Sequence, residues 1–157
     1  MSEKSLSYFM REEAKTELVV TVPGLDSIRD ENGNVIPFEI KKLSNKRMDE
    51  INKLYIDKQI MKDKKGNILV QNGQVVMKVD KDYQKSTRHM MVEALVYPNL
   101  RDKSLMDFFG CVDITDMPFK VFPSNDEYTY VQRKVMEVLN LIEPEDNAKQ
   151  ELEDAKN

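Results

Sequence analysis

The chain has 157 residues, 40% hydrophobic and 33% charged, enough apolar material for one core-bearing domain and little room for a second. No window approaches the roughly 20 uninterrupted apolar residues a bilayer span requires, and a net charge of only -4 with apolar residues in periodic blocks excludes a chain disordered throughout. Six acids and two lysines after residue 142 account for that charge, so the body before them is neutral with mixed signs and offers a polyanion such as nucleic acid no footprint.

Residues 1–15 read as a flexible N-terminal arm in which Leu6, Tyr8, Phe9 and Met10 either stay free or dock as one helical turn. Residues 16–22 (TELVVTV) are a β-branched run stopped by Pro23 and Gly24, and 35–43 (VIPFEIKKL) place Ile36, Phe38 and Ile40 on one face. With turn chemistry in DENGN between them, an antiparallel pair is predicted. Pro37 lacks a ladder donor, which predicts an edge position for the second strand. From Ser44 as N-cap, 45–61 predict a helix of about four turns. Met48, Ile51, Leu54, Tyr55 and Met61 fall on one stripe, and Ile56 and Ile60 point to the other side. Either those two isoleucines meet a partner or a second copy of the chain, or the helix frays or is sandwiched within its own domain.

Asn72-Gly73 lies between two apolar runs and predicts a type I′ hairpin joining 68–71 to 74–79. DENGNVI and DKKGNIL look alike, but different elements follow them, so they share turn chemistry and not a duplicated unit. After Asp80 a second helix is predicted up to Pro98, apolar nearly all round from residue 90 to 97 and therefore central and buried. Ser104 caps a short helix closed by Gly110, and 111–123, broken by Pro118 and Pro123, read as a helical turn plus loop. From Ser124 or Asn125 a last helix stacks Tyr128, Val131, Val135, Val138, Leu139 and Ile142, leaving Tyr130, Met136 and Leu141 elsewhere, with Pro144 closing it. An acidic tail, 143–157, with Leu152 as its one large apolar residue, is expected to be disordered. The sum is a mainly helical α+β domain over 16–142 with a small antiparallel β element, the N-terminal strand pair plus a hairpin near 68–79.

The catalytic inventory is thin. His89 beside Met90 and Met91 reads as a structural or surface histidine, and a Cys-His dyad would have to use that histidine with the lone Cys111. One Cys and one His do not build a zinc site, and an EF-hand register on Gly33 puts Ile28 at the first ligand position. No glycine-rich phosphate motif occurs. No catalytic residue, cofactor or metal is expected. With no internal disulfide available and no apolar leader at the N-terminus, a cytoplasmic setting is expected. Ten methionines and helices with spare apolar faces fit either a contact protein or a Met-rich core.

The order of segments resembles the XkdN-like phage tail assembly chaperones of tailed phages and prophages of Gram-positive bacteria. The resemblance rests on TELVVTVPGL followed by DENGNVIPFEIKKLS, on the helix after Ser44, and on the stretch from VEALVYPNLRDKSLMDFFG to the closing helix. In that stretch Tyr97, Pro98, Leu100, Asp102, Leu105 and Gly110, then Glu127 and Tyr128, fill the family's pattern. The hairpin segment from Lys64 to Val79 departs from it, standing where relatives have a more polar linker. So does Ser124-Asn125-Asp126, where a glycine is common. The resemblance implies a non-enzymatic assembly factor that binds the tape-measure protein, helps recruit tail-tube subunits and is absent from the mature tail. The alternative is a permanent structural component of a tail or baseplate. Candidate partner-binding residues are Ile56, Ile60, Tyr130, Met136 and Leu141, with self-association open and neither nucleic acid nor membrane expected.

Overall fold

A computed structural model describes residues 4–11 and 18–144. Of the expected arm, residues 6–9 form one 3-10 turn, and Leu6, Tyr8, Phe9 and Met10 are all exposed, so this turn is not docked on the body. The acidic tail from residue 145 onward lies outside the described residues.

Strand β1 (Val19–Val22) pairs antiparallel with β2 (Phe38–Lys41), Val20 opposite Ile40 and Val22 opposite Phe38. Because alternate side chains share a face, these four turn together toward the core, where Phe38 and Ile40 are buried. The connection folds back tightly at Gly24, where an added Cβ would stand 1.8 Å from the Ile36 carbonyl oxygen. No other residue fits there without moving backbone.

Strand β2 is central, not an edge strand: β7 (Leu95–Tyr97) pairs along its other side, completing a sheet of order β1-β2-β7. Pro37 does not prevent this because it stands one residue before the ladder begins. Helix α1 (Asn45–Leu54) is capped by Ser44 Oγ, which accepts from Arg47 N at 3.1 Å. It is shorter than the predicted 45–61. After Tyr55 the apolar residues Ile56 and Ile60 keep a four-residue spacing that a helix also allows, yet 56–60 form strand β3 (Ile56–Ile60), held by pairing with a later strand. Ile56 and Ile60 are therefore strand residues. On α1, Ile51 is buried and Met48 packs against the core, while Leu54 is exposed.

The Asn72-Gly73 hairpin is present, both residues at positive φ (51° and 76°), closing the short strands β4 (Val70–Gln71) and β5 (Gln74–Val75). Its expected second limb divides, since β6 (Met77–Lys81) leaves to pair with β3. Helix α2 (Tyr83–Ala94) is central, burying Ser86, His89, Met90, Met91, Val92 and Ala94. It ends three residues earlier than predicted. Valine and tyrosine ahead of Pro98 favour extended backbone, and Leu95 departs into β7.

Asp102, not Ser104, caps α3 (Lys103–Phe109), its Oδ1 accepting from Leu105 N at 3.1 Å while the Ser104 hydroxyl donates to the same carboxylate. Gly110 ends it in the left-handed region (φ 60°). The broken segment beyond is a 3-10 turn at 114–116 and one short helix, α4 (Met117–Val121), which admits Pro118 because the first turn needs no amide donor there. Helix α5 (Asn125–Val138) is capped by Ser124. Asn140 at φ 59° closes it, with Asn140 N bonded to Glu137 O and Leu141 N to Met136 O. The helix thus stops well before Pro144, and Ile142 is exposed and not part of the buried stripe. Phe38 of the sheet meets Phe122 edge to face at 5.9 Å, and Val131 and Val135 of α5 complete the core.

Candidate partner-binding surface

Helices α1 and α2 pack against each other, yet 28 positions separate Leu54 from Asp82, and the chain between them forms a β arm. Asp82 N donates to Tyr55 O at 3.0 Å, bringing the two ends of the arm together at its root. The stem is β3 with β6, in register from Ile56 opposite Lys81 to Ile60 opposite Met77. Above it Met61, Leu69 and Val76 exchange backbone hydrogen bonds in a ring: Met61 N to Val76 O, Val76 N to Leu69 O, and Leu69 N to Met61 O. Two hairpins leave this junction, one closed at Gly66 and the other at Gly73.

The Gly66 hairpin repeats the turn at Gly33 bond for bond. Asp63 Oδ1 accepts from the amides of Lys65 and Asn67, and Asp30 Oδ1 from those of Asn32 and Asn34. Both aspartates are consumed by the turn, which explains the likeness of DENGNVI and DKKGNIL.

The stem has two unlike faces. One carries Asp57 and Gln59 opposite Asp80 and Lys78, where Gln59 Nε2 donates to Asp57 Oδ2 at 3.1 Å and Lys78 Nζ lies 3.8 Å from Asp80 Oδ2. The other carries Ile56, Lys58 and Ile60 opposite Lys81, Val79 and Met77. Beyond Ile56, which is half-buried at the root, no element of the body packs substantially on that face: among the described residues β3 and β6 contact mainly each other. Ile60, Met77 and Val79 remain 50%, 43% and 48% exposed, and Ile68, Val70 and Val75 higher in the arm are exposed too.

The expected binding residues do not form one surface. Ile60 is exposed on the stem, whereas Ile56 is half-buried at the root in a recess shared with Asn52, Tyr55 and Tyr83. Tyr130 is tethered, its hydroxyl donating to the Pro23 carbonyl at 2.8 Å. Met136 packs partly against the core, and Leu141 is exposed just beyond α5. Tyr130 and Met136 also lie about 120° apart around their helix. Met77 and Val79, which sequence reading placed in a hairpin limb, join Ile60 only through the β3–β6 register. No local signal marked the strand, because Lys58 interrupts any apolar alternation between Ile56 and Ile60.

His89 is structural. Its Nε2 faces Glu93 Oε2 at 3.5 Å, which favours the tautomer protonated there, and in that tautomer Nδ1 accepts from Tyr55 Oη at 2.5 Å. Burial holds its pKa below the ordinary 6.5. Glu93 is gripped by Arg47, Nε to Oε1 at 2.6 Å and Nη2 to Oε2 at 2.8 Å, which holds the carboxylate below its ordinary pKa and raises that of the guanidinium. This cluster fastens α1 to α2 beneath the root of the arm. Cys111 Sγ donates to the Asp113 carbonyl. Among the described residues no three His, Cys, Asp or Glu side chains are placed to hold a metal ion, and no helix is long and apolar enough to cross a membrane.

Comparison with known proteins places this architecture. The phage XkdN-like tail assembly chaperone family model matches residues 6–156. The phage-like element PBSX protein XkdN of Bacillus subtilis (strain 168) is 30% identical over 162 residues, covering all of both chains. Protein YqbN of the same organism is 30% identical over 144 residues, covering 88% of this chain and 89% of its own. A crystal structure of YqbN superposes with a TM-score of 0.65 at 24% identity, over 88% of this chain and 98% of that one, and shares its α+β fold. With the family model spanning nearly the whole sequence and a full-length relative behind it, the chain belongs to the phage XkdN-like tail assembly chaperone family, whose role is non-catalytic.

Proposed function

We propose that the chain binds the tape-measure protein in the cytoplasm of the bacterial host, helps recruit tail-tube subunits around it, and leaves before the tail is complete. The observation that carries this reading is the uncovered apolar face of the arm in a member of a tail assembly chaperone family. A two-stranded ribbon is marginal in water unless something packs on its apolar side, so its exposure suits a protein that works by transient contact.

The test is a tagged pull-down from cells expressing the tail gene cluster, with bound proteins quantified by mass spectrometry. Enrichment of a long helical tape-measure protein together with tube subunits is expected. Recovery of baseplate or sheath proteins alone, or of nothing above background, would overturn the reading in favour of a structural component.

A further inference from the structure

We infer that the apolar face of the stem, formed by Ile56, Lys58, Ile60, Met77, Val79 and Lys81, docks one amphipathic helix of the client whose apolar stripe is flanked by carboxylates; the identity of that client rests on the function proposed above. Charge selects the partner. At the strand positions of this face Lys58 and Lys81 are the only charged residues, and neither forms an ion pair among the described residues; the carboxylates beside it, Asp49 and Asp82, lie at the root, in the recess that Ile56 and Lys81 share. The carboxylates of the stem, Asp57 and Asp80, project from the opposite face. A partner bearing Asp or Glu beside its apolar residues would pair both lysines as it covers the isoleucine, methionine and valine side chains.

The same arrangement argues against the other occupants. Two copies meeting face to face would bring Lys58 and Lys81 of one against those of the other, with no acid at the strand positions of either face to offset them. The chain's own acidic segment after residue 142 has the right charge, but with Leu152 as its large apolar residue it cannot fill a stripe of four. A strand added along the edge of β3 or β6 would leave the apolar face in water. A helix fits the dimensions: five residues of strand span about 13 Å, against which roughly two and a half helical turns lie.

A photo-crosslinking residue at Val79, in the full chain co-produced with the tail gene cluster, tests this directly, with the cross-linked peptide sequenced by mass spectrometry. The expected peptide belongs to the tape-measure protein, has apolar residues three and four apart, and carries more Asp and Glu than Lys and Arg. Lys58→Glu with Lys81→Glu should lower capture of that protein at least tenfold without changing the melting temperature, and replacing the acids of the cross-linked segment by lysine should restore it. Cross-links into a second copy, into the chain's own C-terminal segment or into a basic segment overturn the inference, as does unchanged capture by the double variant while the unmodified chain still recovers the tape-measure protein. If the acidic helix found here belongs to a different tail protein, the docking face stands and the proposed client falls.

Discussion

At the scale of single residues, the cluster of Arg47, Tyr55, His89 and Glu93 sets how the domain responds to acid. His89 is kept neutral by burial, with Tyr55, Glu93, Arg47 and Arg101 as the charged or titratable groups that bear on it. Because its folded pKa is depressed, the unfolded chain takes up a proton first as pH falls below about 6.5. Stability is therefore complete above that value and declines as pH drops toward the folded pKa. Glu93, depressed chiefly by its hydrogen bonds to Arg47, adds a second decline at lower pH, below its ordinary 4.5. Melting temperature measured from pH 8 to 3 should show both. His89→Gln, which can still accept from Tyr55, should remove the upper decline and keep the lower. A His89→Gln profile that still falls between pH 6.5 and 5 would assign the upper decline to another group. The sequence showed only that this histidine lacks catalytic company. Glu93 is its neighbour one turn on along α2, but Tyr55 and Arg47 lie 34 and 42 positions before it in the chain, and only packing reveals them.

At the scale of elements, the helices were legible where local chemistry is decisive. Ser44 and Ser124 cap α1 and α5, Gly110 ends α3, and Asn72-Gly73 makes its hairpin, each through a bond or backbone angle that neighbouring residues dictate. Two of the misread segments share one cause. Residues 56–60 and 95–97 continue an apolar run past a helix end, and their strand state is fixed by distant partners, β6 for the first and β2 for the second. The arm was invisible for the same reason, since its stem joins residues about 20 apart. Its independence from the body makes a sharp prediction. With Tyr55 O and Asp82 N already 3.0 Å apart, residues 57–80 can be replaced by a two-residue Asn-Gly turn. The shortened chain should keep its helical circular dichroism and melt within a few degrees of the parent, but lose capture of tail proteins. Unfolding of the body on excision would show that the arm is part of the core.

At the scale of the whole molecule, the three-stranded sheet and the helices are one cooperative unit joined through Phe38, Phe122, Met91, Val131 and Val135. Phe122→Ala should cost about 3–5 kcal/mol in denaturant unfolding, with sheet and helix signals lost together. Separate transitions would indicate two units. This body resembles the solved YqbN fold, and in our account it serves as the platform from which the arm meets its client.

The account's central claim is a passing engagement with the tape-measure protein. Its most direct measurement is the copy number of the chain, by quantitative mass spectrometry, in tape-measure complexes trapped before tube assembly and in purified finished tails. Several copies are expected on the early complexes and none in the finished tails; a fixed copy number retained in finished tails would contradict a passing engagement.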